Sequence, residues 1–170
     1  AQLVGDGHDV VVVERGSDPG GRAGVLESDG FRFDTGPTVL TMPHLLDRAF
    51  GRLGRKLADE VPLIRLDPAY RAVYSDGSEL LVRSDPADQV AELRRRGLAR
   101  DAQAFPGFVD WLQELYDVEV PNFIERNFDS VIDLVNRPAA AAKLVRLGGF
   151  GSLEKAVSRR FGDSRLVRLF

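Results

Sequence analysis

Four β-branched residues in a row, Val10 to Val13, run into a carboxylate at Glu14. In a dinucleotide-binding βαβ unit, a carboxylate at the end of the second strand accepts hydrogen bonds from the adenosine ribose hydroxyls. An unbroken β-branched run is also what a strand buried on both faces of a parallel sheet requires. Many strands end in a solvated Glu, so the carboxylate alone leaves both readings open. Further on, Gly20, Gly21 and Arg22 set a pliable backbone beside a guanidinium. Glycines let backbone N–H groups approach phosphate oxygens, and Arg pairs with a pyrophosphate through a planar fork. The bland alternative is a glycine turn carrying a surface arginine. A nicotinamide-binding Rossmann domain has no use for this second glycine-arginine loop, so the combination points towards a flavin dinucleotide. The glycine fingerprint of such a unit lies about 20 residues before the carboxylate, whereas thirteen residues precede Glu14. With Ala at position 1 and the sole methionine at Met42, the sequence reads as a piece that begins mid-motif.

With their neighbours, these residues resemble a known family. Glu14-Arg15, then Pro19-Gly20-Gly21-Arg22-Ala23-Gly24, then Phe31-Arg32-Phe33-Asp34-Thr35-Gly36-Pro37-Thr38 look like the opening of a phytoene-desaturase-type carotenoid oxidoreductase. The broader group is the FAD-dependent amine-oxidase-like flavoproteins. The run Phe33 to Thr38 favours the carotenoid branch over amine or protoporphyrinogen oxidases. The stretch Leu115 to Arg160, with Tyr116-Asp117-Val118 and Gly148-Gly149-Phe150, is similar to the same branch. The resemblance implies that Glu14 holds the adenosine ribose of FAD with Arg15 beside it. It implies that Gly20, Gly21 and Arg22 face the pyrophosphate, and that Gly36, Pro37 and Thr38 lie near the flavin end. The family's fingerprint and its C-terminal half, which closes the flavin site, lie outside this sequence, so the piece alone is expected to be inactive. Two rivals stand beside this reading: another flavoprotein of the group, such as a carotenoid isomerase or an amine or protoporphyrinogen oxidase, and a non-catalytic module that keeps the fold without flavin.

The implied reaction is desaturation of a carotenoid precursor such as phytoene: two hydrogens leave a C–C single bond, a hydride passing from an allylic carbon to the flavin. An apolar polyene offers no polar handle, so its recognition rests on shape and apolar area. The face carrying Phe105, Phe108, Val109, Leu112 and Leu115, together with Trp111 and Tyr116, is a candidate lining for such a slot. At helical spacing the same stripe equally describes plain core. No residue is assigned as catalytic. His8 follows a helix-stop glycine and His44 sits in the first turn of a helix, where polar residues are ordinary, and two histidines without any cysteine leave no expected metal site.

The elements that must carry these residues follow from local signals. Ala1 to Val4 reads as a helix end stopped by Gly5 and Gly7. Gly24–Leu26 and Phe31–Phe33 are short apolar stretches about the turn Ser28-Asp29-Gly30. Thr41 to Leu53 is an expected helix with Thr41 as N-cap, and Leu63–Leu66 an expected strand. Tyr70–Tyr74 and Glu79–Arg83 flank Asp76-Gly77, a strong hairpin signal. Asp85 caps the next helix, Pro86 opens it and Gly97 ends it. Pro106 belongs in the first turn of the helix after that, and Ser152 to Phe161 forms another, stopped by Gly162. The fold class is α/β: a partial Rossmann-like FAD-binding domain over 1–58, then part of an α+β substrate domain, a hairpin and helices, over 59–170.

At 170 residues, 44% apolar and 29% charged, the chain has a globular composition. A net charge of −3 does not suit a nucleic-acid binder. No apolar run nears the ~18 residues of a spanning helix, and the default address is the cytoplasm. Ala139 to Phe170 nevertheless carries seven Lys/Arg against two acids, a net of +5. A substrate held in lipid requires access to the bilayer. Peripheral membrane contact is therefore expected through a segment whose Leu144, Leu147, Phe150, Leu153, Val157 and Phe161 face lipid, while Lys143, Arg146, Lys155, Arg159 and Arg160 meet headgroups. A solvated basic helix face is the simpler alternative.

Overall fold

A computed structural model describes residues 1–125 and 138–170. The chain divides into two units, Ala1–Ile64 and Arg65–Phe170. Helices and two small antiparallel sheets make up both. No parallel sheet occurs among the described residues.

The first unit opens with α1 (Gln2–Gly5), and the chain turns at Gly7. Val10–Val13 is not a strand: it joins no ladder among the described residues, and Val11, Val12 and Val13 stand 86%, 83% and 90% exposed. β-branched residues favour strands by packing against neighbouring strands, and no strand lies beside them here. A hairpin follows, β1 (Val25–Ser28) on β2 (Phe31–Asp34), in the register Val25 to Asp34 and Ser28 to Phe31. Asp29 and Gly30, at φ 52° and 81°, form its primed turn. The Thr35 N–H donates to Gly24 O at 2.9 Å and lengthens the ladder by a pair. The helix α2 (Pro43–Arg52) starts later than Thr41, with Met42 in the cap position and no side-chain cap bond. Proline excludes the preceding residue from the helical region, so the helix starts at Pro43 itself. A single turn, α3 (Leu57–Glu60), completes the unit.

Leu63–Leu66, where the first unit gives way to the second, likewise joins no ladder among the described residues, with Ile64 85% exposed. The hairpin β3 (Tyr70–Val73) and β4 (Glu79–Val82) closes around Asp76-Gly77. Asp76 Oδ1 accepts from the Ser78 N–H at 2.9 Å, and Gly77 takes φ 78°. In α4 (Pro86–Arg95) the Asp85 carboxylate caps Ala87 N–H at 2.8 Å, and Gly97 turns the chain away.

The spine is α5 (Ala99–Glu119), which ends in a π-helical turn, Val120–Ile124. Pro106 lies inside this helix rather than in its first turn. An interior proline costs about 3 kcal/mol. The turn before it is held by tertiary packing: Ala102 and Phe105 are core, and Asp101 Oδ1 accepts the Gly162 N–H at 2.6 Å. Among the described residues three shorter helices follow, α6 (Pro138–Leu147), α7 (Leu153–Ser158) and α8 (Ser164–Leu169). The α7 helix is capped by Ser152, and its regular part stops at Ser158, short of Phe161.

Leu80, Leu93, Phe105, Phe108, Val157, Phe161 and Leu166 form the core. At its centre the Phe108 ring meets Phe161 edge-on at 5.0 Å and Phe170 at 5.2 Å. Tyr74 ties the hairpin to α8 by donating its hydroxyl to Arg165 O at 2.9 Å. Burial raises the Tyr74 phenol above its ordinary range.

Candidate functional site

Two places carry residues of chemical interest, one in each unit. In the first, the hairpin brings two glycine motifs back to back. Because β1 pairs with β2, the loop before β1 and the loop after β2 leave the sheet at the same end. There the Arg22–Ala23 backbone lies flat on Gly36. A Cβ built at Gly36 would stand 1.9 Å from Arg22 O and 3.2 Å from Ala23 Cα. No side chain fits that gap, so glycine is a steric requirement at position 36.

The Gly20-Gly21 turn takes φ 128° and 57°, and a Cβ at Gly21 would meet nothing within 4 Å. The turn therefore has open space on its outer side. The Arg22 side chain is exposed, with no hydrogen bond or ion pair to another described residue. Pro37 and Thr38 continue the exposed loop beyond Gly36. Glu14 stays apart from this junction: its Oε1 accepts the Gly16 N–H at 2.7 Å in a local turn. No hydrogen bond or ion pair links Glu14 to Arg22, and Arg15 is exposed beside Glu14. The hairpin thus unites Gly20–Arg22 with Gly36 and leaves Glu14 on the approach. A cleft of ≈ 490 Å³ adjoins the loop, lined by Asp18, Glu27 and Arg32 among others. Two carboxylates against one guanidinium make that cleft unfavourable for phosphate.

In the second unit, the C-terminal half of α5 and the loop between α6 and α7 enclose an apolar cleft of ≈ 390 Å³. Its walls include Trp111, Leu112, Leu115 and Tyr116 on one side, and Gly149 and Leu153 on the other. The stripe on α5 therefore divides. Phe105 and Phe108 are core, while Trp111, Leu112, Leu115 and Tyr116 line the cleft. Trp111 is fixed from two sides: its Nε1 donates to Leu147 O at 2.9 Å, and the Arg160 guanidinium stacks 4.0 Å from its ring centroid. Two lining residues, Glu119 and Gly149, were not singled out as functional by sequence reasoning. A Cβ at Gly149 would come within 2.3 Å of Leu144 Cδ1 and 3.4 Å of Glu119 Oε1. The only signal for them was the Gly148-Gly149 pair, which names no ligand.

The amphipathic reading of the C-terminal segment needs correction. Leu144, Val157 and Phe161 are buried in the protein rather than turned outward, because α6 and α7 pack on α5 and the rings around Phe108. Phe150 and Leu153 remain exposed at 65% and 54%. No helix among the described residues is long and apolar enough to cross a membrane.

Over 168 residues the chain is 48% identical to a phytoene dehydrogenase from Streptomyces griseus, covering 99% of this chain and 33% of that protein. It is 31% identical over 166 residues to a zeta-carotene-forming phytoene desaturase from Myxococcus xanthus, covering 98% and 32%. A 4,4'-diapolycopene oxygenase from Methylomonas sp is 30% identical over 163 residues, covering 96% and 33%. The chain thus spans about a third of the length of these relatives. The family model for flavin containing amine oxidoreductases matches residues 1–170, and the chain belongs to that family of flavin-dependent oxidoreductases.

Proposed function

We propose that this chain is part of an FAD-dependent carotenoid desaturase acting on an apolar polyene such as phytoene. The observation that carries the reading is the 48% identity, sustained over nearly the whole chain, to a protein named phytoene dehydrogenase. The residues present suit the cofactor. The open side of Gly20-Gly21 and the unengaged Arg22 suit a pyrophosphate. Glu14 keeps Oε2 free for ribose hydroxyls while Oε1 is held by Gly16. Gly36 sets the height of the Arg22 backbone, and the same reading assigns Gly36, Pro37 and Thr38 to the flavin end and Arg15 to the ribose beside Glu14.

FAD, held by these residues, would supply the two-electron oxidant that loss of two hydrogens from a C–C single bond requires. The rest falls to apolar surface. The Trp111–Tyr116 wall contributes area without polar demand, and the Arg160 and Leu147 contacts hold the indole still. A polyene in the cleft is recognised by shape and by exclusion of water. In the test, the intact protein is expressed in cells that accumulate phytoene, pigment is read by absorbance, and flavin is assayed in the purified protein. Coloured extract and bound flavin are expected; colourless extract from a protein free of flavin overturns the reading.

A further inference from the structure

Arg146, Lys155, Arg159 and Arg160 line a pocket of ≈ 320 Å³, and no carboxylate stands among its lining residues. Arg146, Lys155 and Arg159 are exposed, and none is ion-paired with a described residue. Arg160 is held by its stack on Trp111 and by donation from Nη1 to Ala156 O at 2.8 Å. Asp163, close by in sequence, is already engaged by Arg165 through bonds of 2.8 and 3.0 Å. Ser152 adds a hydroxyl to the lining: its oxygen accepts the Lys155 N–H at 3.4 Å, which leaves its proton for an acceptor. Like charges held together repel one another, and an anion relieves that repulsion. The amount of charge decides which anion. A phosphodiester brings one negative charge and leaves most of the cluster uncompensated, whereas a diphosphate monoester brings about three.

What the anion is attached to follows from what adjoins the pocket. Gly148, Gly151, Ser152 and Ala156 line both this pocket and the apolar cleft, so the two are continuous. Trp111 and Arg160 form the partition: the indole belongs to the cleft wall, and the guanidinium stacked on it belongs to the cation pocket. Glu119 lines the cleft but not the pocket, and its carboxylate turns an anionic head away from the cleft. An occupant of both spaces therefore has a densely charged head and an apolar chain, in one orientation. We propose that the pocket and cleft together bind, as a single molecule from solution, the diphosphate monoester of a long-chain apolar alcohol. The diphosphate sits among the four cations, and the chain lies against Trp111, Leu112, Leu115 and Leu153. Bound in this way, the ester fills the cleft and competes with any other apolar chain for it. The inference rests on the cations and the cleft walls and is independent of the reaction proposed above, since neither flavin nor turnover enters it.

Titration calorimetry of the intact protein, with no vesicles present, tests the proposal. The probes are farnesyl diphosphate, inorganic diphosphate, farnesol and monomeric dihexanoyl phosphatidylglycerol. Farnesyl diphosphate is expected to bind tightest. Each buried methylene adds about fourfold, so its chain gains about a hundredfold over inorganic diphosphate. Loss of charge-assisted contacts in Arg146→Gln/Lys155→Gln/Arg159→Gln weakens farnesyl diphosphate binding by about a hundredfold or more. The charge-keeping pair Arg146→Lys/Arg159→Lys retains most of the affinity, and Arg52→Gln/Lys56→Gln/Arg94→Gln elsewhere on the surface retains all of it. Leu112→Ser/Leu153→Ser, at two partly exposed cleft positions, removes much of the chain's advantage and leaves inorganic diphosphate unaffected. Undiminished affinity in the Gln triple variant overturns the proposal. So does equal affinity for the inorganic and the esterified diphosphate, which marks a site for a free anion. Equal affinity for farnesol or for the phosphatidylglycerol overturns it as well, because the cations then do not select the diphosphate.

Discussion

Replacing Gly36 by alanine tests the junction of the two glycine motifs most directly. The added methyl would sit 1.9 Å from Arg22 O, 2.8 Å from Arg22 C and 3.2 Å from Ala23 Cα. All three are backbone atoms, so no rotamer change relieves the overlap, and the Arg22–Ala23 strap must lift by more than an ångström. Overpacking against rigid neighbours costs about 1–3 kcal/mol, which is about 5- to 150-fold in the folding equilibrium. Lifting the strap also moves Gly20–Arg22 relative to Pro37 and Thr38, so flavin is expected to leave earlier than in the parent. The assay is urea denaturation of the intact protein, followed by the fluorescence of released flavin. Gly107→Ala is the counterpart. Gly107 lies inside α5, where a Cβ would meet nothing within 4 Å, so alanine there stabilises by about 0.5–1 kcal/mol. A Gly36→Ala protein that unfolds with the parent and keeps its flavin refutes the packing of position 36 on the Arg22 backbone.

Glu14→Ala is expected to weaken FAD binding by about 1.5–3 kcal/mol, the scale of a hydrogen bond to a charged group, in titration calorimetry of deflavinated protein; unchanged affinity reduces Glu14 to a local turn residue. Phe108→Ala removes the ring around which Phe161 and Phe170 pack and costs about 3–5 kcal/mol by chemical denaturation. The acid limb of stability has named sources. The Arg95 guanidinium, then Arg96, holds the buried Glu92 carboxyl below its ordinary value, and Arg165 does the same for Asp163. A depressed native carboxyl makes the unfolded chain bind protons first, so stability present above the ordinary carboxylate range is lost as pH falls through the depressed values. Melting temperature is therefore expected to hold near neutrality and fall below about pH 4, with a shallower fall in Glu92→Gln/Asp163→Asn; an identical acid limb in that variant assigns it to other groups.

What the sequence made legible was local chemistry. Asp76-Gly77 and Ser28-Asp29-Gly30 turn where their backbone preferences demand, and Asp85-Pro86 to Gly97 marks both ends of α4. Those signals need only nearest neighbours. Val10–Val13 and Leu63–Leu66 fail as strands because a strand is defined by its partner, and nothing in a β-branched run supplies one. Pro106 misled for the opposite reason: Ala102, Phe105 and the Asp101–Gly162 bond hold a helical turn that proline chemistry alone would end. At the site, glycine and arginine types were readable, but the contact of Gly36 with Arg22 depends on a hairpin register that no motif encodes. The aromatic stripe could not be split by periodicity, since core and cleft residues share one helix face.

The placement of Trp111 gives these 170 residues a built-in optical reporter. It is their sole tryptophan, and its indole lies in the cleft wall between the Arg160 guanidinium and Leu147 O. Indole emission overlaps the absorption of both flavins and long polyenes, so a chromophore entering the cleft quenches it by energy transfer at close range. A cation on the ring face also makes the emission wavelength sensitive to where Arg160 sits. Difference spectra against Trp111→Phe therefore isolate one signal from one wall, and occupancy of the cleft becomes readable in real time without a label.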